Sequence, residues 1–311
     1  MSSRLHIIPV GISLLNFLEG RRKDCDDGAR KRGHPVLRGV LGNRDVWQEL
    51  RTRPQETVEV PDAVLGADHA KARLALAGLE PKACAEWDAL DRYKQQFPEA
   101  ELDTWVFVGS DTEEGSRAAV LTALGHTYRQ ENVSLRYVDN PHTSEGFPLQ
   151  PGGCYVARIP GLDLSSGADL PEKTWLGLGG LGGLAVRCST QLQAAASTRH
   201  YKVVFHLSGG DKAMLPYFLT MAEAVRTKLQ KDGNPPVQKD GNPPIEAFCL
   251  YEQGSRPVAL PVAHFTGSLR ERVFNLAEAS NGGETDVDDM SVDGLVGLYL
   301  DGGSCGLGGA A

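Results

Sequence analysis

The residues best suited to chemistry lie in one short loop. A strand-like run, Tyr201 to Leu207, ends in Ser208-Gly209-Gly210-Asp211-Lys212 and leads into a helix-like segment from about Ala213 to Leu229. Glycines let a ligand approach the backbone closely, and the N–H groups freed at a helix start attract anions. A lysine there opposes the helix dipole, and a bound anion would offset that repulsion. The loop therefore reads as an anion site. Two other junctions repeat the order of strand, glycine, small polar residue and helix: Gly11-Ile12-Ser13, and Gly109-Ser110-Asp111-Thr112. Plain N-capping explains Ser13 and Thr112 equally well when each is taken alone. Taken together, the three junctions would line one crevice at the carboxyl ends of parallel strands, where open α/β sheets bind ligands.

Other chemistries lack their residues. Gly177-Leu178-Gly179-Gly180-Leu181-Gly182 matches GxGxxG, but it has no strand before it and no acid about 20 positions on, so close helix packing explains it better than a dinucleotide. The eight histidines form neither HExxH nor HxH, and no metal site or cofactor is expected. His206, inside a buried strand, reads as structural, and His142 and His264 have no sequence partner. There is no nucleophile elbow and no Walker loop. An enzyme built on these residues would work by positioning and charge.

The elements that must carry the loops follow from apolar patterning. Leu5 to Val10, Thr104 to Val108, Val133 to Val138, Tyr201 to Leu207, Ile245 to Tyr251 and Val258 to Val262 are short, β-branched-rich runs that fit strands. Helices are expected after the first strand (Leu14, Leu15, Phe17, Leu18, capped by Ser13), within Asp62 to Tyr93, through Ala118 to Leu124, and from Lys173 to Ala196. Alternating strands and helices imply an α/β fold with a doubly wound, mainly parallel Rossmann-like sheet. One domain spans residues 1–262, with a long helical insertion at about 20–100 that begins as a basic, solvated segment. Residues 263–311 form an acidic, glycine-rich extension or linker. Gln230 to Pro236 recurs residue for residue at Gln238 to Pro244, which reads as a duplicated surface loop of no assigned function.

Composition narrows the partners. At 311 residues and 41% hydrophobic, the chain can bury a substantial core. A net charge of -8 argues against a broad nucleic-acid-binding face, so a phosphate ligand would be held in a local pocket. Six cysteines without a CxxC pair suggest reduced thiols. With no signal-peptide pattern and no apolar run of about 18 residues, a soluble cytoplasmic protein without membrane partners is expected.

His6 to Asn16, the Ser110-Asp111-Thr112-Glu113-Glu114-Gly115 loop and Ser208 to Ala213 resemble, in this order, the characteristic loops of CRISPR-associated Rossmann-fold (CARF) proteins, and most closely those of the stand-alone ring nucleases. The likeness covers the framework from about residue 5 to 262. It implies a homodimer that binds a cyclic oligoadenylate, with cyclic tetra-adenylate the foremost candidate, across its two-fold axis. The ligand would contact Gly11, Ile12, Leu14, Asn16, Ser110, Asp111, Thr112, Glu113, Gly115, Ser208, Gly209, Gly210 and Asp211. The functional pair of the ring nucleases maps onto Ser13 and Lys212, and cleavage by the ligand's own 2′-OH would need no metal. The sequence departs from the pattern at Ser208, where threonine is common, and at Asp211, where an uncharged residue is common. Two further readings stand beside the ring nuclease: a non-catalytic sensor acting on a fused or associated effector, and a transcription regulator. The latter would need a basic recognition helix, and Ser268 to Ala279 offers only Arg270, Glu271 and Arg272.

Overall fold

The computed structural model describes residues 4–19, 58–59, 74–98, 102–128, 135–139, 150–159, 162, 182, 185, 202–210, 215–231, 245–250 and 256–262. Among the described residues eight strands form one sheet: β1 (Arg4–Pro9), β2 (Val58–Glu59), β3 (Thr104–Gly109), β4 (Leu135–Asp139), β5 (Cys154–Arg158), β6 (Lys202–His206), β7 (Ile245–Cys249) and β8 (Val258–Leu260). Their order across the sheet is β2-β4-β5-β3-β1-β6-β7-β8. The six inner strands run parallel, and only the edge pairs β2–β4 and β7–β8 are antiparallel. An α/β architecture with a mainly parallel sheet is thus observed.

Alternation along β1 explains why both faces of the sheet are covered. Leu5 and Ile7 point into one core with Val203, Phe205 and residues of α4 (Leu215–Lys231), among them Phe218, Met221 and Val225. Ile8 and Val10 point into the other core, with Trp105, Phe107 and residues of α1 (Ser13–Leu18), α2 (Ala85–Gln96) and α3 (Glu113–Tyr128). Trp87 anchors α2: its ring is 1% exposed and its indole N–H donates to the carbonyl of Thr122 on α3 at 2.9 Å. Removing such a ring from water stabilises by about 2–3 kcal/mol, and this anchor fixes Glu86, its neighbour on α2.

Five of the expected strands and the helices after β1 and β6 lie where the patterning placed them, with ends shifted by up to about three residues, and the helix after β3 lies there too but extends further at both ends. The run Val258 to Val262 yields only a three-residue edge strand. The α3 helix is longer than Ala118 to Leu124, reaching from Glu113 to Tyr128. Two strands were not expected. Cys154–Arg158 inserts between β3 and β4, so the chain visits β4 before filling the place beside β3. Val58–Glu59 is too short to leave a periodic signal. Ser13 does not cap α1: Ile12 is the N-cap residue, no side chain caps it, and Ser13 is the first helical residue. Its hydroxyl is drawn away to residues of the insertion. Outside the described residues lie the basic segment 20–57, the polar loop 140–149, all of 173–196 except Gly182 and Ala185, the duplication beyond Lys231, and the extension 263–311.

Candidate anion site at the switch point

The chain leaves β1 toward β3 on one side and later returns through β6 on the other, so the direction of winding changes between β1 and β6. At the carboxyl ends of these two strands the loops Gly11-Ile12-Ser13 and Ser208-Gly209-Gly210 come together. A Cβ at Gly11 would lie 3.2 Å from the backbone of Gly210, so the loops are in direct contact. Gly210 adopts φ 81°, a conformation that glycine takes at little cost.

An anion sits at this contact, and it belongs to the protein. The carboxylate of Glu86, in the first turn of α2, is 2% exposed. Its Oε1 accepts hydrogen bonds from the backbone N–H of Gly11 at 2.8 Å and of Gly210 at 3.3 Å. Its Oε2 accepts from the Ser13 hydroxyl at 2.8 Å and from the Cys84 thiol at 2.9 Å. Burial, with the Glu86 charge second, pushes the Cys84 thiol well up, so it stays protonated and can donate. The Ser13 oxygen also accepts from the backbone N–H of Ala85 at 3.3 Å, capping the start of α2 in place of its own helix. Gly209 is glycine because Glu86 fills the space: a Cβ there would meet Glu86 Oε1 at 2.4 Å and the carbonyl oxygen of Pro9 at 2.6 Å. The glycines thus let a carboxylate reach the backbone. The anion they admit is a side chain 75 and 124 residues away from the two amides.

The junction after β3 is organised differently. Thr112 caps α3, its Oγ1 accepting from the N–H of Gly115 at 2.9 Å and pairing with Ser110 Oγ at 2.9 Å. Ser116 Oγ donates to the carbonyl of Ser110 at 3.3 Å. Asp111 pairs with Arg158 at the end of β5, and Glu113 with Arg117 one turn along α3.

Of the residues expected to form the site, Gly11, Ser13, Gly209 and Gly210 are gathered round one carboxylate. Ser208 Oγ accepts from the N–H of Leu250 at 2.7 Å and ties the loop to the end of β7. Ile12 is 41% exposed beside the hole, and Asn16 is half-buried. Leu14 is fully buried in the core, so any ligand contact it makes would be through its backbone. Asp211 and Lys212 lie outside the described residues, one and two positions beyond Gly210. Sequence reasoning missed Glu86, Cys84 and Arg158. A signal existed for Glu86: with Leu90 and Tyr93 it occupies one buried helical stripe, and a carboxylate on such a stripe needs donors.

A second polar cluster lies along the same strands. His6 Nδ1 and His206 Nε2 are 2.9 Å apart with both rings buried, and Tyr93 of α2 packs edge-on against each. His6 stacks on Trp105, and its Nε2 is 3.5 Å from Asp103 Oδ2. Burial lowers the pKa of both imidazoles, with Asp103 partly opposing it at His6 and the His6 charge adding to it at His206. Among the described residues, no group of three or more His, Cys, Asp or Glu side chains is placed to hold a metal ion, and no helix is long and apolar enough to cross a membrane. No protein-family model matches the chain, and no curated protein matches it significantly.

Proposed function

We propose that the chain is a CARF-type protein of the ring nuclease kind, which binds a cyclic oligoadenylate at the crevice between β1 and β6 and cleaves it without a metal. The observation that carries this reading is the convergence of two glycine amides, from separate strands at the switch point, with the Ser13 hydroxyl on a single anion. Donors so arranged suit a phosphate as well as a carboxylate. Lys212, two positions after one of those amides, supplies a full positive charge.

In the proposed reaction an adenosine 2′-oxygen attacks the adjacent 3′-phosphorus. The P–O2′ bond forms, the P–O5′ bond breaks, and the proton lost from the 2′-OH is returned through water to the 5′-oxygen, leaving a 2′,3′-cyclic phosphate end. Ser13 orients the attacking ribose, while Lys212 and the loop amides stabilise the charge on the phosphorane-like state. Ile12, Asn16 and the Ser110 to Gly115 loop of the neighbouring strand would contact the nucleotides, and a homodimer would present two such sets to one ring. Binding without cleavage, as in a sensor coupled to an effector, is favoured by one feature: Glu86 and Asp211 both bring negative charge toward a reaction that builds more.

Incubating the purified protein with labelled cyclic tetra- and hexa-adenylate, without metal, tests the proposal. Linear products ending in 2′,3′-cyclic phosphate support the ring nuclease, and tight binding without products supports the sensor. Absence of both removes the CARF reading.

A further inference from the structure

We infer that Glu86 is an internal competitor for the anion hole: its carboxylate holds the hole in the free protein, and a phosphate enters only when that carboxylate leaves. The inference rests on the reading of this crevice as a phosphate site, and it adds a regulatory contact from the insertion. A carboxylate offers about four lone-pair sites, and Glu86 uses four, on Gly11, Gly210, Ser13 and Cys84. With Glu86 seated, none is left to take a proton from a substrate, so the side chain blocks the hole rather than acting as its base. Nor is there room for both anions. The Glu86 side chain occupies the volume where a Cβ on Gly209 would sit, and a phosphate on the same two amides would face a buried like charge.

The carboxylate also has a short way out. Glu86 is the second residue of a twelve-residue helix, Cys84 two positions before it has extended backbone, and its chain neighbour Ala85 is exposed. A change of side-chain rotamer would carry the charge toward solvent while keeping it by the N-terminus of α2, where the dipole favours it. Among the described residues no lysine or arginine pairs with Glu86 to hold it in place. If the hole is open in about 1–10% of molecules, the apparent affinity for an anion is weakened about 10- to 100-fold.

The test compares the wild type with Glu86→Gln, which is isosteric and keeps an oxygen for the two amides. Asp91→Asn, an exposed change in the middle of α2, controls for net charge. Inorganic phosphate and cyclic tetra-adenylate are titrated calorimetrically into each protein. The expected result is phosphate binding about tenfold or more tighter in E86Q, with D91N like the wild type. Phosphate binding in E86Q that is no tighter than in the wild type overturns the inference and leaves Glu86 a structural clamp. A gain for phosphate without any binding of cyclic tetra-adenylate upholds the gate while removing the oligoadenylate reading. Should E86Q fail to fold, the wild type labelled with ¹³C at glutamate carboxyls serves instead. Saturating phosphate should then move the Glu86 signal together with the Gly11 and Gly210 amides. Movement of the amides alone, or of neither, overturns the inference.

Discussion

The loops after β1 and β3 read almost alike as sequence, yet they spend their polar groups in opposite ways. After β3, the cap and its supports run between residues no more than six apart: Thr112 to Gly115, Ser110 to Thr112, Ser116 to Ser110. After β1, Gly11 and Ser13 turn to Glu86, and Gly210 of the loop after β6 joins them on the same carboxylate. A cap closed on itself needs only its own residues, and its hydroxyls serve the helix that follows, with Asp111 reaching beyond them to Arg158. A junction closed by a distant carboxylate joins three chain segments, and the donors that join them also suit a ligand. Breaking the two should therefore have different consequences. Damage at the β1–β6 contact should change phosphate binding together with stability, and damage at the β3 junction should change stability while leaving phosphate binding as it is.

The largest effect is expected from Lys212→Ala. If the phosphate is held at the β1–β6 contact, removing the charge beside it should lower cleavage of cyclic tetra-adenylate about 10²- to 10³-fold, a loss typical of one group that stabilises developing charge. Single-turnover assays with labelled ring measure this. Cleavage by K212A at the wild-type rate would sink the assignment of Lys212.

Next comes Gly209→Ala. The added methyl would meet Glu86 Oε1 at 2.4 Å, Glu86 Cγ at 2.5 Å and the Pro9 carbonyl oxygen at 2.6 Å. Overpacking of this kind costs about 1–3 kcal/mol, read as a lower urea midpoint. Introducing the same change in a Glu86→Ala background should cost less by about 1 kcal/mol, because the two closest contacts, both with Glu86, are then gone. Equal costs in both backgrounds would show that Glu86 does not seat against Gly209.

What sequence alone could reveal divides along the same line. The strands β1, β3, β6 and β7, and the glycine-rich turns that end β1 and β6, come from local patterning and were placed to within a few residues. The Thr112 cap is likewise a relation between near neighbours. Glu86 could not be tied to Gly11 and Gly210 in this way, since no periodic rule links positions 75 or 124 apart. Only the carboxylate's place on the buried stripe of α2, with Leu90 and Tyr93, hinted that it must find donors. Ser13 shows the error this brings: its position before an apolar helix has the form of a cap, but the carboxylate and the Ala85 amide compete for its hydroxyl and win. The place of β5 between β3 and β4 escaped for a similar reason, because strand order is fixed by packing across the sheet and leaves no mark on the strand's own pattern.

Acidification probes the β1–β6 seam from its middle. His6 and His206 have folded-state pKa values below 6.5, so the unfolded chain takes up protons first as pH falls. The unfolded state then binds more protons than the folded one, and stability rises with pH in that window. The contribution of the pair is therefore complete above about pH 6.5, the unfolded value, and is lost as pH falls from there toward the folded values. The slope is at most about 1.4 kcal/mol per pH unit for each imidazole. Urea titrations at a series of pH values should show it, and a His6→Gln, His206→Gln double variant should flatten it. An unchanged slope in that variant would place the acid sensitivity elsewhere in the chain.

The smallest effect tests the other half of the comparison. Thr112→Ala removes the hydroxyl that accepts from the Gly115 amide and pairs with Ser110. Loss of a threonine cap typically costs about 1 kcal/mol, and α3 should register it because Gly115 and Ser116 are buried at its start and cannot take water freely in exchange. Replacing Thr112 by Ser keeps the oxygen and should restore most of that stability. The informative measurement is the affinity for inorganic phosphate. If the β3 junction serves only its own helix, T112A and T112S bind phosphate as the wild type does, while T112A unfolds at lower urea. A fall in phosphate affinity in T112A, recovered in T112S, would instead mean that this loop shares the anion with the β1–β6 contact. The two junctions would then be parts of one site, divided only by where their hydrogen bonds happen to close.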